Sequence, residues 1–181
     1  MTIKYAILGF LSWRSFSGYD LKKIFVDSVF IYWSGNNNQI YRTLVQLHKE
    51  GLVTSKVEHQ ESGPSRKIYT VTDKGLSELK EWVLSSPELP QLRNSFLIQL
   101  AWADQLEPGE LDTLLEKYEY EVQMQSLMYR EHKRRNRINP ARTRRENYLW
   151  EMISDNCIGF YEHELAWVRK LQQELGEKKE L

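Results

Sequence analysis

Residues 36–69 read NNNQIYRTLVQLHKEGLVTSKVEHQESGPSRKIY, and the order of polar and apolar positions in this stretch decides the fold. Ile40, Leu44 and Leu47 recur at helical spacing and predict one buried stripe. With that stripe turned inward, Asn38, Arg42, Gln46 and Lys49 must point elsewhere. Amides and a guanidinium are the side chains best suited to hydrogen-bonding base edges in a major groove. Gly51 stands where a helix needs a residue of left-handed backbone to stop. Two strand-like segments, 53–59 and 66–71, then flank Gln60-Glu61-Ser62-Gly63-Pro64-Ser65, a run rich in turn formers. A polar-faced helix followed at once by a hairpin with a basic return strand has the layout of a winged helix-turn-helix.

The segments on either side fit that layout. A first helix over about residues 2–12 would bury Ile3, Ala6, Ile7, Phe10 and Leu11. Ser17-Gly18-Tyr19-Asp20 has the form of a capping box and opens a second helix that would bury Leu21, Ile24 and Phe25. Phe30-Ile31-Tyr32-Trp33 is a dense apolar patch ended by Ser34-Gly35. Past the hairpin, Thr72 is placed to cap a fourth helix carrying Leu76, Leu79, Trp82 and Val83. Residues 85–90, with Pro87 and Pro90, read as a linker. Two domains follow from it: 1–85, a winged helix-turn-helix with a two-stranded β wing, and 86–181, an α-helical dimerisation region. The fold class is therefore mainly α.

Beyond the linker the periodicity is helical throughout. Leu92, Phe96, Leu100 and Ala103 share one face of a helix over 91–106. Pro108 starts a longer helix with Leu111, Leu115, Tyr118 and Val122 in steps of three and four. A last helix, about 144–175, carries Leu149, Ile153, Cys157, Phe160, Glu164, Trp167 and Leu171 at similar steps. Alternating threes and fours are the seam of helix–helix packing. The apolar members of this seam, Leu149, Ile153, Cys157, Phe160, Trp167 and Leu171, are expected at an interface with a second copy of the chain.

Composition bounds the function. The formal net charge is zero, which argues against a histone-like polyelectrolyte. Residues 1–86, however, hold 11 Lys+Arg against 8 Asp+Glu, a bias of +3. One cysteine, Cys157, excludes an internal disulfide framework and fits a reducing compartment. No apolar run approaches the roughly 18 residues of a membrane span, and the N-terminus lacks a cleavage-site pattern. A soluble, cytoplasmic protein without membrane attachment is the expectation. His48, His59, His132 and His163 are scattered, none at metal-ligand spacing with another His or Cys. With no phosphate-cradling loop, nucleophile elbow or paired carboxylates, neither an enzyme nor a metal or organic cofactor is expected.

Ordered along the first 75 residues, Tyr5-Ala6-Ile7-Leu8-Gly9, Ser17-Gly18-Tyr19-Asp20-Leu21-Lys22, Gln39-Ile40-Tyr41 through Leu44, Glu50-Gly51-Leu52-Val53, and Arg66-Lys67-Ile68-Tyr69-Thr70-Val71-Thr72 before Gly75 resemble the PadR family of bacterial transcriptional regulators. Phe96-Leu97-Ile98 and the Tyr161–Trp167 segment resemble the helical C-terminal region of its longer subfamily. The resemblance implies a homodimer on a palindromic operator in double-stranded DNA, usually acting as a repressor. It also implies a small hydrophobic or phenolic effector, bound between helices, that releases the DNA. The chain departs from the common pattern at Arg42, where many relatives have proline, and in the amide-rich Asn36-Asn37-Asn38 turn. Both changes fall on the face assigned to DNA.

The expected DNA contacts are Ser17, Tyr19, Asn36, Asn37, Asn38, Gln39, Tyr41, Arg42, Gln46, Pro64, Arg66 and Lys67. Amides pair naturally with adenine, and Arg42 suits guanine or phosphate. Tyr41 is either a phosphate donor or part of the core. Arg66 and Lys67, just past the wing tip, are placed for phosphate or the minor groove, while Tyr69 and Val71 should pack inward. Eight cations lie between Arg130 and Arg145 against one acid, Glu131; such a run is either a second nucleic-acid patch or a solvated charged loop. Trp82, Phe96, Trp102 and Trp150 are candidates to line an effector pocket, since aromatic side chains stack on flat molecules. Two other readings remain open, a winged-helix protein–protein adaptor and a small-molecule sensor whose output is a partner protein.

Overall fold

In the computed structural model of the chain, residues 2–27, 37–60, 63–90, 94–135 and 142–177 are described. They form two compact units, residues 1–88 and 89–181. The apolar patch at Phe30–Trp33 lies outside the described residues.

The first unit runs α1 (Thr2–Leu11), β1 (Phe16–Ser17), α2 (Gly18–Asp27), α3 (Asn37–Lys49), β2 (Val53–Gln60), β3 (Gly63–Val71) and α4 (Asp73–Leu84). Its core is built where the periodicities place it: Ile3, Ile7, Phe10 and Leu11 of α1, Leu21 and Phe25 of α2, and Ile40, Leu44 and Leu47 of α3 are buried. Leu8 joins them with no exposed surface, whereas Ala6 stays half-buried. The capping box forms in full. The Ser17 hydroxyl accepts from the Asp20 N–H at 3.1 Å, and the Asp20 carboxylate accepts from the Ser17 N–H at 3.1 Å and from its hydroxyl at 2.7 Å.

The sheet differs from a two-stranded wing. It is three-stranded and antiparallel in the order β1-β3-β2, with Phe16 opposite Tyr69 and Ser17 opposite Ile68. A two-residue strand has no period of its own, so nothing in its sequence marks it. The hairpin also closes more tightly than the turn-forming run suggests, since Gln60 pairs with Gly63, past a bulge after Glu58.

Between α3 and the hairpin the chain is knotted by hydrogen bonds. Gly51 takes φ +70°, its N–H donates to the His48 carbonyl at 3.1 Å and that of Leu52 to the Leu47 carbonyl at 2.9 Å, a Schellman stop. Thr72 then donates its N–H to the Leu52 carbonyl at 3.0 Å and its hydroxyl to the Gly51 carbonyl at 2.8 Å, while the hydroxyl accepts from the Gly75 N–H as the α4 cap. Lys4 joins α1 to both neighbours, with its ammonium 2.7 Å from Glu78 and 3.3 Å from Glu50. On α4, Leu76, Trp82 and Val83 stay exposed rather than filling the core, with Trp82 stacked on Tyr5 at 4.5 Å.

The second unit holds α5 (Ser95–Ala101), α6 (Pro108–Arg135) and α7 (Arg144–Glu177). The helix expected over 91–106 is shorter. It breaks at Trp102 (φ −112°, ψ 10°) into a 3-10 turn over Ala103–Gln105, and Leu92 lies outside the described residues. Phe96, Leu115 and Val168 form the core, with Tyr118 stacked on Phe96 at 3.6 Å. Asn94 caps α5 through the Phe96 N–H at 3.0 Å and donates to the Tyr118 hydroxyl at 3.0 Å, which in turn donates to Glu164 at 2.7 Å.

The face that α7 turns to α6 is not the series expected to meet a second copy. The α7 residues that turn inward include Ser154, Ile158, Leu165 and Val168, with Tyr161 5.1 Å from Tyr129 of α6. Each stands one place after a member of the expected series (153, 157, 160, 164, 167). One place is about 100° around a helix. Both series have the spacing of a seam, so periodicity alone does not choose between them.

Candidate nucleic-acid interface

The outward side of α3 is set by what its inward side buries. Asn38, Arg42, Val45 and Lys49, at steps of four, three and four, form the stripe opposite Ile40, Leu44 and Leu47, and all four are exposed. Gln39 is exposed beside them. The first turn of α3 carries no acid, so no carboxylate opposes the positive end of the helix dipole there. By contrast, the N-terminus of α2 has Asp20 folded over it.

Tyr41 is neither core nor fully exposed. Its ring crosses the backbone at Gly18, where an added Cβ would lie 2.6 Å from Cε1. A side chain at position 18 would therefore make the Tyr41 ring shift. Tyr19, next along, is 65 % exposed. Ser17 is a correction: it is buried, paired in β1, and its hydroxyl is engaged with Asp20, so its side chain is a cap and not a surface contact. Gln46 is exposed, but its amide donates to Glu50 at 2.7 Å. That hydrogen bond is the largest influence holding the Glu50 carboxyl below its usual range; burial opposes it and Lys4 reinforces it. Asn36 lies outside the described residues, and only the backbone places Asn37 and Pro64, at the start of α3 and in β3.

The wing register separates Arg66 from Lys67. Arg66 lies opposite Glu58, and Lys56 opposite Ile68, on one face of the hairpin. Lys67 shares the other face with Tyr69, its ammonium 5.5 Å from the ring centroid. Tyr69 is buried and Val71 half-buried, both inward as expected. Basic side chains thus leave the wing from both faces.

Five of the eight cations in the basic run of the second unit are engaged within the chain. Arg130 pairs with Glu162 and Lys133 with Asp155, joining α6 to α7, while Arg134 and Arg135 both meet Glu131 and Arg142 meets Glu146. The hydrogen bonds from Arg134 and then Arg135 hold the Glu131 carboxyl down at about 2. The partners Asp155 and Glu162 come from another helix, which is why counting acids along the run underestimates its neutralisation. Arg137 lies outside the described residues.

The four aromatic pocket candidates do not act as one set. Trp82 is stacked on Tyr5 in the first unit, Phe96 is core in the second, and Trp150 is half-buried on α7. Trp102 is 68 % exposed and lines an open pocket of about 530 Å³ with Gln99, Leu106, Thr113, Leu114 and Lys117. The expected dimer residues also divide. Leu149, Ile153 and Phe160 are about half exposed, Cys157 is half-buried with its thiol pushed up by desolvation, and Trp167 and Leu171 pack against the in-chain core. Among the described residues no group of three His, Cys, Asp or Glu is placed to hold a metal ion, and no helix is long and apolar enough to cross a membrane.

Residues 7–81 match the model of the Transcriptional regulator PadR-like family, and residues 92–176 that of the Virulence activator alpha C-term. The chain carries the domain of the PadR-like family. Its members are transcriptional regulators, not enzymes. Over 98 residues, 54 % of this PadR-like chain and 54 % of the relative, it is 35 % identical to the negative transcriptional regulator PadR of Bacillus subtilis; it thus spans about half the length of the curated relatives it matches. The crystal structure of Bacillus subtilis PadR with operator DNA superposes at TM-score 0.84 and 22 % identity, covering 97 % of this chain and 99 % of that one. The same protein with p-coumaric acid gives TM-score 0.81, 21 % identity and the same coverage. At these identities the likeness is one of fold, across both units of the PadR-like chain.

Proposed function

We propose that this chain is a sequence-specific, DNA-binding transcriptional regulator of the cytoplasm that acts as a homodimer on a palindromic operator. The observation that carries this reading is the exposed Asn38–Arg42–Lys49 stripe on a helix whose far end is tied by Gly51, Thr72 and Lys74 to the root of a basic wing. A reading element must hold its register on the duplex, and that knot fixes α3 and wing as one body. In the dimer two such bodies enter successive major grooves, roughly 34 Å apart. The exposed seam of α7, at Leu149, Ile153 and Phe160, takes the partner copy. Cations supply affinity, and the amide-rich start of α3, with Arg42, supplies sequence preference.

The regulator is a repressor released by a small hydrophobic or phenolic effector. The operator and p-coumaric acid complexes of the Bacillus subtilis relative support both halves of this reading. The pocket beside Trp102 suits a flat aromatic molecule, with the Lys117 ammonium available to an acidic group. The test is a gel-shift titration against the DNA upstream of the protein's own coding sequence, with a scrambled duplex as competitor. Binding that survives the competitor and weakens tenfold or more in Arg42→Ala supports specific regulation, at about 1–3 kcal/mol for a base-reading arginine. Binding that the scrambled duplex matches equally, in both proteins, favours a protein–protein adaptor.

A further inference from the structure

We infer that Val45 reads the C5-methyl group of a thymine, and so sets operator preference at one position of each half-site; the inference rests on the DNA-binding reading above. Val45 stands in the middle of the outward stripe of α3, between Arg42 and Lys49, and is 49 % exposed. Asn38, Arg42 and Lys49, its companions on the stripe, all carry hydrogen-bonding or charged ends. A surface that meets a major groove through Arg42 and Lys49 must bring Val45 into the same groove, because the three leave the helix within about 60° of one another.

The groove offers one apolar group to such a side chain. Guanine, adenine and cytosine present acceptors and donors there, whereas thymine presents its methyl beside O4. A valine set against a cytosine amino group or a guanine oxygen would strip water from it and return no hydrogen bond. Against thymine it gains apolar burial, so the same residue favours one base and disfavours others. Valine suits this task because its side chain is stiff: in a helix one χ1 rotamer dominates, and the methyls are held in place before DNA arrives. A lone exposed valine on an ordinary surface needs no explanation. This one differs in sharing a stripe with the residues that read bases and contact phosphate.

The experiment begins by selecting tight-binding duplexes from a random pool with the full-length protein, then replaces each thymine of the selected site by deoxyuridine, which lacks the methyl. Wild type is expected to lose about fourfold in affinity at one thymine per half-site, the change for ~0.8 kcal/mol of lost methyl burial, and about fifteenfold when both half-sites are changed. In Val45→Ala the deoxyuridine effect at that position should vanish, with thermal unfolding unchanged because the side chain is half exposed. Val45→Thr, which keeps one methyl and the branched shape, should retain part of it. Indifference to deoxyuridine at every thymine overturns the inference, as does an effect that persists undiminished in Val45→Ala. A selection that enriches no sequence at all overturns the DNA-binding reading itself, and the inference with it.

Discussion

Single residues decide how α3 is held, and two glycines do so for different reasons. Gly51 adopts φ +70°, with nothing within 4 Å of the place a Cβ would take, so Gly51→Ala is a backbone penalty of about 1–2 kcal/mol. Gly75 has ordinary helical backbone, but a Cβ there would lie 2.2 Å from the Leu52 carbonyl oxygen and 2.8 Å from Val71 Cγ2. Gly75→Ala is expected to destabilise the first unit by about 2–3 kcal/mol, and urea denaturation of the two variants would rank them. A smaller loss at position 75 than at 51 would mean that the turn, not the helix–turn contact, sets the register of the wing. Gly51 is legible from its place after a helix; Gly75 is not, since its neighbour across the contact, Leu52, belongs to another element.

At the scale of elements, α7 carries two apolar seams about 100° apart. One is covered by α6, through Ser154, Ile158, Leu165 and Val168; the other, at Leu149, Ile153 and Phe160, stays open in the single chain. The two should respond differently to substitution. Ile158→Ala is expected to cost about 2–4 kcal/mol of stability while leaving the mass of the proposed homodimer unchanged. Phe160→Glu should halve the sedimenting mass with helical content retained, and a dimer that survives it would place the partner elsewhere. The Tyr118 hydroxyl makes a further element-scale prediction. Burial, then its hydrogen bond to Glu164, pushes its pKa up to about 12, with Asn94 acting the other way. The folded value lies above the ordinary one near 10, so the contribution is complete below about pH 10 and is lost as pH rises through 12. Tyr118→Phe should therefore flatten the alkaline fall in stability between those values, as read by chemical denaturation at pH 8 and pH 11.

For the whole molecule the decisive quantity is where charge sits rather than how much there is. A chain of zero formal charge carries +3 over residues 1–86 and therefore −3 over the remainder. The cations of the second unit are largely paired with acids of α6 and α7, whereas no ion pair is formed by Arg42, Lys49, Arg66 or Lys67 within 4.0 Å among the described residues. Operator affinity should fall steeply with salt, by about 0.9 in log–log slope for each phosphate neutralised. Lys67→Ala should reduce that slope by about 1 per protomer with little change in sequence preference. The same substitution at Arg134 or Arg135 should leave the slope unchanged, since both are held by Glu131; a change there would restore the second nucleic-acid patch as a reading.

The sequence by itself determined the helices of the first unit, the Gly51 stop, both long strands and the polar stripe of α3, because each is a local pattern with its own period or its own stop signal. It equally determined that α6 and α7 have seams. Tertiary structure alone decided which of two equivalent seams α7 offers to α6, that Phe16–Ser17 pairs as a third strand and so buries Ser17, and that Arg66 and Lys67 leave opposite faces of the wing. It also placed Val45 among the exposed residues of α3, where a branched apolar residue gives no local sign of facing outward. These outcomes depend on what another element covers, and coverage is a property of packing that no window of sequence contains.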